Sequence, residues 1–330
     1  MTNRAKLSLL DFCTIYEGET AAESMARSVE LAQVAEKAGY SRIWYTEHHN
    51  MPTITSSSPA VLISHIGAKT NTIRLGAGGV MLPNHAPYVV AEQFGTLAEL
   101  YPNRIDLGLG RAPGTDMHTL GRALRRDAHA AERFPEDVKE LQGYFSGKSL
   151  VPGVQAIPGV NTHVPLYILG SSMFGASLAA KYGLPYAFAS HFAPTHLRQA
   201  TAYYRNNFQP SEALSEPYVI AGVNVTAADT KEDADAEYEK VCFNRVKAFA
   251  GRGKYLTDQQ VEQIKNSHQG AQILGMMKYS AVGTTDHVRD YLTDFQELAQ
   301  ADELMISLQS TGHDNLLQNM NLLADAWELG

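Results

Sequence analysis

A chain of 330 residues with 44% hydrophobic and 19% charged residues can bury a large core, which argues against a disordered protein. A net charge of -8 with scattered Lys and Arg argues against a nucleic-acid footprint, and no window approaches the ~20 continuous apolar residues of a membrane helix. The two cysteines, Cys13 and Cys242, make no disulfide framework, and the opening MTNRAKLSLLDF lacks an apolar secretion segment, so a cytoplasmic protein is expected.

In chain order, a first strand is expected over 6–12 (KLSLLDF). Thr20-Ala21-Ala22-Glu23 reads as a capping box that starts a helix, and Gly39 suits its left-handed end. A second strand follows over 42–48 (RIWYTEH) and a third over 73–82 (IRLGAGGVML). Ser58-Pro59 and Ala86-Pro87 place proline in a first helical turn, where no hydrogen bond is lost. The fourth strand is 104–110 (RIDLGLG); after it, residues 111–163 hold a helix near 135–146 and the Pro/Gly-rich stretch VPGVQAIPGV. Strands five and six, 165–170 (PLYILG) and 185–190 (PYAFAS), flank a helix that Gly183 stops. The seventh, 218–227 (YVIAGVNVTA), leads to a helix over 231–250 and a polar, glycine-punctuated segment, 251–280, before the eighth at 303–309 (ELMISLQ).

These runs are apolar on both faces, as strands of a parallel sheet covered by helices must be. Eight β/α units on a chain longer than about 250 residues predict a (β/α)₈ TIM barrel, one domain over 1–330, with insertions after strands four and seven at about 111–163 and 251–280. A doubly wound sheet is the main rival. Against it, no GxGxxG follows the first strand.

The chemistry-bearing residues fall at the C-terminal ends of these strands: Glu47-His48-His49 after the second, Gly78 and Gly79 late in the third, Arg111 after the fourth, Ser171 and Ser172 after the fifth, His191 after the sixth. That is the face where barrel active sites are built. Consecutive residues on an extended strand point to opposite sides, so His48 and His49 do not readily share a metal ion, and no metal site is expected. Each histidine has a structural hydrogen-bonding alternative to catalysis. Arg111 and the helix start at Ser171-Ser172 offer a guanidinium and free N–H groups to a phosphate, with a loop salt bridge and simple capping as alternatives. Gly78-Gly79 suits a backbone that passes close to a flat ligand or bends sharply.

WYTEHHN, LGAGGVMLPNHAPYVVAEQFGTLAELYPNRIDLGLGRAPGTD and LYILGSS together resemble the bacterial luciferase-like, flavin-dependent monooxygenase family, in its luciferase-like branch rather than true luciferase. The resemblance implies a TIM barrel that uses reduced FMN from a separate flavin reductase, with molecular oxygen and a small organic substrate, and works as a homodimer. By the same resemblance His48 is the active-site histidine, Gly78-Gly79 forms a non-prolyl cis peptide under the flavin ring, and Arg111 and Ser172 bind the cofactor phosphate; Gly170 and Ser171 are expected beside them in the cofactor site. Gly110 stands where true luciferases carry a cysteine, and Ser171 where they carry a glutamate, which speaks against light emission. Asp11, Met81, His191 and Phe192 are expected in the substrate pocket wall. Residues 251–280 are expected to form a lid, with Gly251, Gly253, Gly270 and Gly275 as flexible points and Ile273, Leu274, Met276 and Met277 as its apolar underside. Two alternatives stand beside this reading: a deazaflavin-dependent oxidoreductase on the same barrel, and a flavin-binding protein without turnover.

Overall fold

The computed structural model describes residues 4–127, 129–251 and 255–329. Eight parallel strands close on themselves: β1 (Lys6–Asp11), β2 (Arg42–Tyr45), β3 (Arg74–Met81), β4 (Ile105–Gly110), β5 (Leu166–Gly170), β6 (Tyr186–Phe188), β7 (Val219–Ala227) and β9 (Glu303–Leu308), with β9 returning to pair with β1. This is the (β/α)₈ barrel expected from the sequence. The helices α1 (Ala21–Lys37), α2 (Pro59–Gly67), α3 (Pro87–Leu100), α4 (Phe134–Phe145), α5 (Met173–Tyr182), α6 (Leu197–Asn207), α10 (Thr285–Ala299) and α11 (His313–Trp327) surround it. No helix among the described residues is long and apolar enough to cross a membrane.

Local signals act as their chemistry requires. Thr20 caps α1 through the amide of Glu23, whose carboxylate reaches back to the Thr20 amide, and Gly183 ends α5 in the left-handed conformation at φ 61°. Pro59 and Pro87 open α2 and α3.

Alternation along each strand divides the side chains into two sets. Leu7, Leu9, Ile43, Tyr45, Leu75, Ile105 and Leu107 pack outward under the helices. Leu10, Trp44, Tyr167, Ala187, Ile220 and Met305 fill the interior, with Phe12 and Leu169 against them. Beneath that layer lies a polar knot. Arg42 donates to Asp106 at 2.6 Å, to the Tyr167 hydroxyl at 2.7 Å and to Glu303 at 3.1 Å, while Ser8 and Tyr218 also donate to Glu303. Asp106 and Glu303 are wholly buried, so each needs these partners to remain charged.

A ninth strand, β8 (Ser280–Gly283), pairs with Asn224–Ala227, the end of β7 that projects past β6. The segment after β7 is largely helical: α7 (Lys231–Gly251), α8 (Asp258–Lys265) and α9 (His268–Gly275). Val246, Val261 and Ile273, with Phe243, Leu256, Ile264 and Leu274, form a separate small core. Ile273, buried, and Leu274, partly buried, belong to this cluster, so part of the apolar surface expected on the underside of a lid packs within the segment's own helices. Gly253 lies outside the described residues.

Candidate active site

The connection after β2 is organised by Glu47. This carboxylate, 1% exposed, accepts from the ring nitrogens of His49 at 2.9 Å and His85 at 2.8 Å, and from the Met81 amide at 3.0 Å. Burial alone would raise its pKa, but the two imidazoles and the amide overcome that and hold it down at about 2. Glu47 and His49 thus tie the β2 connection to the end of β3.

His48 keeps the inward parity of Arg42 and Trp44. Its Nδ1 lies 3.0 Å from Thr46 Oγ1, and its ring stacks on Phe12 at 5.8 Å between centroids. Burial pushes its pKa down to about 4, partly offset by the Glu47 charge, so the imidazole is neutral at pH 7. Across Phe12 sits His191, 6.1 Å from that ring. Its Nδ1 is buried without a hydrogen-bond partner, and burial, then the charges of Arg245 and His48, lower its pKa to about 3. The Asn224 side chain donates to the His191 carbonyl at 2.8 Å and fixes the loop after β6 to β7. A Cβ on Gly222 would lie 2.3 Å from His191 Nδ1, so the imidazole occupies space that only glycine leaves open.

Glycines also set the wall between β3 and β4. The Gly78–Gly79 peptide is cis, and the β3–β4 register shifts between Ala77 and Val80. A Cβ on Gly78 would meet Leu10 and Trp44 at 2.9 Å, and one on Gly79 the Gly108 carbonyl at 2.7 Å. The backbone itself is therefore the surface here. Met81 lies against Gly110, where a Cβ would come within 3.0 Å of its methyl group.

At the neighbouring rim, the Arg111 guanidinium rests 3.9 Å above the Phe174 ring, in the first turn of α5. Ser172 is the N-cap of α5 but its side chain makes no cap hydrogen bond. Arg111 is exposed, and Gly170 and Ser171 are half-buried on the approach to the helix. Arg111 and Ser172 thus both lie at the start of α5.

One expected pocket residue belongs elsewhere. Asp11 shares the outward parity of Leu7 and Leu9; its carboxylate accepts from the Cys13 amide at 2.7 Å and from Ser28 of α1. It ties strand to helix behind the wall, and Phe12, on the inward parity, takes the place expected for it. Phe192 is 44% exposed beside His191, with ring centroids 6.5 Å apart. Among the described residues no group of His, Cys, Asp or Glu is arranged to hold a metal ion.

The sequence profile of the luciferase-like monooxygenases matches residues 8–301. The chain belongs to that family. A luciferase-like monooxygenase of Escherichia coli K12 is 43% identical over 323 residues, covering 97% of this chain and 96% of its own. The N-acetyl-S-alkylcysteine monooxygenase of Bacillus subtilis is 33% identical, covering 97% and 98%. The crystal structure of apo-MsnO8 superposes with a TM-score of 0.88 at 33% identity over 99% of both chains. More distant likenesses, of the fold alone, include the oxygenating constituent of 3,6-diketocamphane monooxygenase from Pseudomonas putida in complex with FMN (TM-score 0.71, 16% identity, 97% of both chains) and an F420-dependent secondary alcohol dehydrogenase (0.72, 15%, 98% and 99%).

As a luciferase-like monooxygenase the protein is an oxidoreductase that incorporates oxygen. Two residues of its mouth escaped the sequence reading. Phe12 was one alternation step from a residue that was named, so strict parity along β1 would have found it. Gly222 sits in the apolar run VIAGVNV and carries no signal until His191 is seen against it.

Proposed function

We propose that this luciferase-like monooxygenase binds reduced FMN supplied by a separate flavin reductase and oxygenates a small organic substrate at the C-terminal mouth of the barrel. The observation that carries the reading is the rim at α5: a guanidinium with no carboxylate partner among the described residues, stacked on Phe174 beside an N-cap serine whose hydroxyl is unused. Those donors suit a phosphate, and the side-chain-free backbone at Gly78-Gly79 suits a flat ring, so the residues present fit FMN. The cofactor, when bound, supplies the reducing electrons and the site of oxygen activation.

The chain's own part is binding, orientation and proton control. Arg111, Ser171 and Ser172 hold the phosphate, with Gly170 giving the backbone room. His48, whose Nδ1 is engaged by Thr46 and which is neutral at pH 7, exchanges a proton through Nε2. Phe12, Leu10 and Trp44 form an apolar base that keeps water from the reacting face. The exposed apolar side chains Val61 of α2 and Leu100 of α3 suit burial in a homodimer. A cytoplasmic location belongs to the same reading.

The test is calorimetry with FMN, riboflavin and F420. FMN should bind more tightly than riboflavin, and Arg111→Ala should weaken FMN by about 1.5–3 kcal/mol, the range for a charged hydrogen bond. Equal affinity for riboflavin and FMN refutes the phosphate assignment, and preference for F420 moves the protein to deazaflavin chemistry. Rapid NADH oxidation by the chain alone with FMN would exclude the need for a reductase.

A further inference from the structure

Three histidines gather where β2 and β3 end, and their partners differ in kind. His49 and His85 each turn Nε2 to the Glu47 carboxylate, at 2.9 and 2.8 Å. An ionised carboxylate can only accept, so both rings carry a hydrogen on that nitrogen. His48 has no such partner. Glu47 precedes it in the chain but is committed to His49, His85 and the Met81 amide, and the neighbour of His48 Nδ1 is the Thr46 hydroxyl, 3.0 Å away.

That pair is held by the main chain. Thr46 donates its amide to the Asp11 carbonyl at 3.3 Å, Ser56 donates its hydroxyl to the Thr46 carbonyl, and the His48 amide donates to the Ser56 carbonyl at 3.0 Å. Phe12 covers the His48 ring at an interplanar angle of 29°. The hydroxyl and the imidazole therefore meet in one geometry, and the question is which of them gives the hydrogen. Thr46 is 3% exposed, and its hydroxyl makes no other hydrogen bond among the described residues. With a hydrogen on Nδ1, the ring would donate to Thr46 Oγ1, and the hydroxyl's own hydrogen would be buried without an acceptor. With Nδ1 bare, the hydroxyl donates to it and both groups are satisfied. This second arrangement puts the ring hydrogen on Nε2. That nitrogen has no partner among the described residues and is not one of the buried unpartnered atoms, so it is open to an incoming molecule.

We propose that Thr46 is a positioning residue that fixes neutral His48 as the Nε2–H tautomer, so that His48 meets the reactants as a hydrogen-bond donor and not as a base. The proposal rests on the monooxygenase reading for what His48 faces, and it gives the proton exchange at Nε2 a starting side: the hydrogen is on the ring before any oxygen atom of the reactants arrives. A carboxylate beside Nδ1 would do the opposite, holding a hydrogen there and leaving the Nε2 lone pair free to take a proton. A hydroxyl also gives an imidazolium no counter-charge, which agrees with the neutrality that burial imposes on His48 at pH 7. A neutral imidazole N–H suits an oxygen that gains negative charge during the reaction.

The experiment reads the tautomer directly, by nitrogen-15 NMR of the ligand-free protein labelled at its histidine rings, at pH 7; the His48 signals are those lost in His48→Gln. A ring nitrogen that bears hydrogen and one that bears a lone pair resonate far apart, and the parent should show a bare Nδ1 and a protonated Nε2. Thr46→Val, which puts a methyl group in place of the hydroxyl, should move both nitrogens toward the averaged values of neutral free histidine, and Thr46→Ser should restore the parent pattern. His49 and His85 should not move in either variant, because their partner is Glu47. A hydrogen on Nδ1 in the parent, or a His48 spectrum unchanged in Thr46→Val, overturns the proposal; the first of these is read on the parent and needs no variant to fold. Calorimetry with FMN tests the flavin reading separately: this tautomer in a protein that binds no FMN upholds the role of Thr46 and refutes the cofactor.

Discussion

Replacing Glu47 by Gln tests whether one carboxylate holds the mouth together. The substitution keeps the shape and one acceptor oxygen, but puts an NH₂ group where N–H donors already converge at 2.8, 2.9 and 3.0 Å. The carboxyl stands at about 2 instead of its ordinary 4.5, and at 1.36 kcal/mol per unit its ionised form is stabilised by about 3 kcal/mol relative to the unfolded chain. Glu47→Gln should therefore lower unfolding free energy by about 2–4 kcal/mol, or the melting temperature of a chain this long by roughly 3–6 °C. The loss should reach the cofactor end too. Met81 is anchored by Glu47 just beyond Gly78-Gly79, so FMN affinity should fall several-fold although Glu47 touches no ligand. Urea denaturation at pH 7 and FMN calorimetry on parent and variant give both numbers. A stability change under about 0.5 kcal/mol, within the range of an ordinary surface substitution, would refute the hub.

The buried histidines make the fold acid-sensitive: His48 at about 4 and His191 at about 3 lie below their ordinary 6.5, so the unfolded chain takes up protons first. Stability is full above about pH 6.5 and falls toward pH 4 by up to about 1.4 kcal/mol per unit for each histidine, with Glu47 adding its loss from about 4.5 downward. Urea midpoints across pH 4–8 should show that slope, and His191→Gln should flatten it; a parent flat down to pH 5 contradicts the burial of both rings. Gly222→Ala should cost about 1–3 kcal/mol by overpacking and should displace His191, seen as a changed imidazole NMR resonance, because the new methyl needs space 2.3 Å from Nδ1. Asp11→Asn should destabilise the fold through Ser28 and Cys13 while leaving FMN affinity as in the parent; a selective loss of cofactor or substrate binding would return Asp11 to the pocket.

The eight barrel strands were readable because each is largely buried on both faces and so is mostly apolar, and their ends agree within a few residues. β8 had no such run. Its four residues SAVG alternate between buried and half-buried, since it pairs only with the projecting end of β7. The helical nature of 255–275 was legible and was passed over: Thr257 and Gln260 form a capping box as regular as that of Thr20 and Glu23, and Ser267 caps the next helix. Polarity drew attention to that segment as a loop, whereas its sparse apolar residues at helical spacing were the core of a small helical cluster. His48, the glycine pair, Arg111 and Ser172 were found because their positions at strand ends are fixed by the barrel.

The polar knot under the barrel core joins residues from opposite ends of the chain. Ser8 and Glu303 are separated by 295 positions, Arg42 and Glu303 by 261. During synthesis, the ribosome releases β1 and β2 long before β9 exists, so Arg42 meets Asp106 early and waits for its second carboxylate until nearly the entire chain has emerged. Through that interval the growing sheet has an open edge at β1, a row of unsatisfied backbone groups flanked by apolar side chains. The nascent protein is thus at its most adhesive just before completion, and its yield in a cell depends on how fast the last strand arrives and on chaperones that shield the gap.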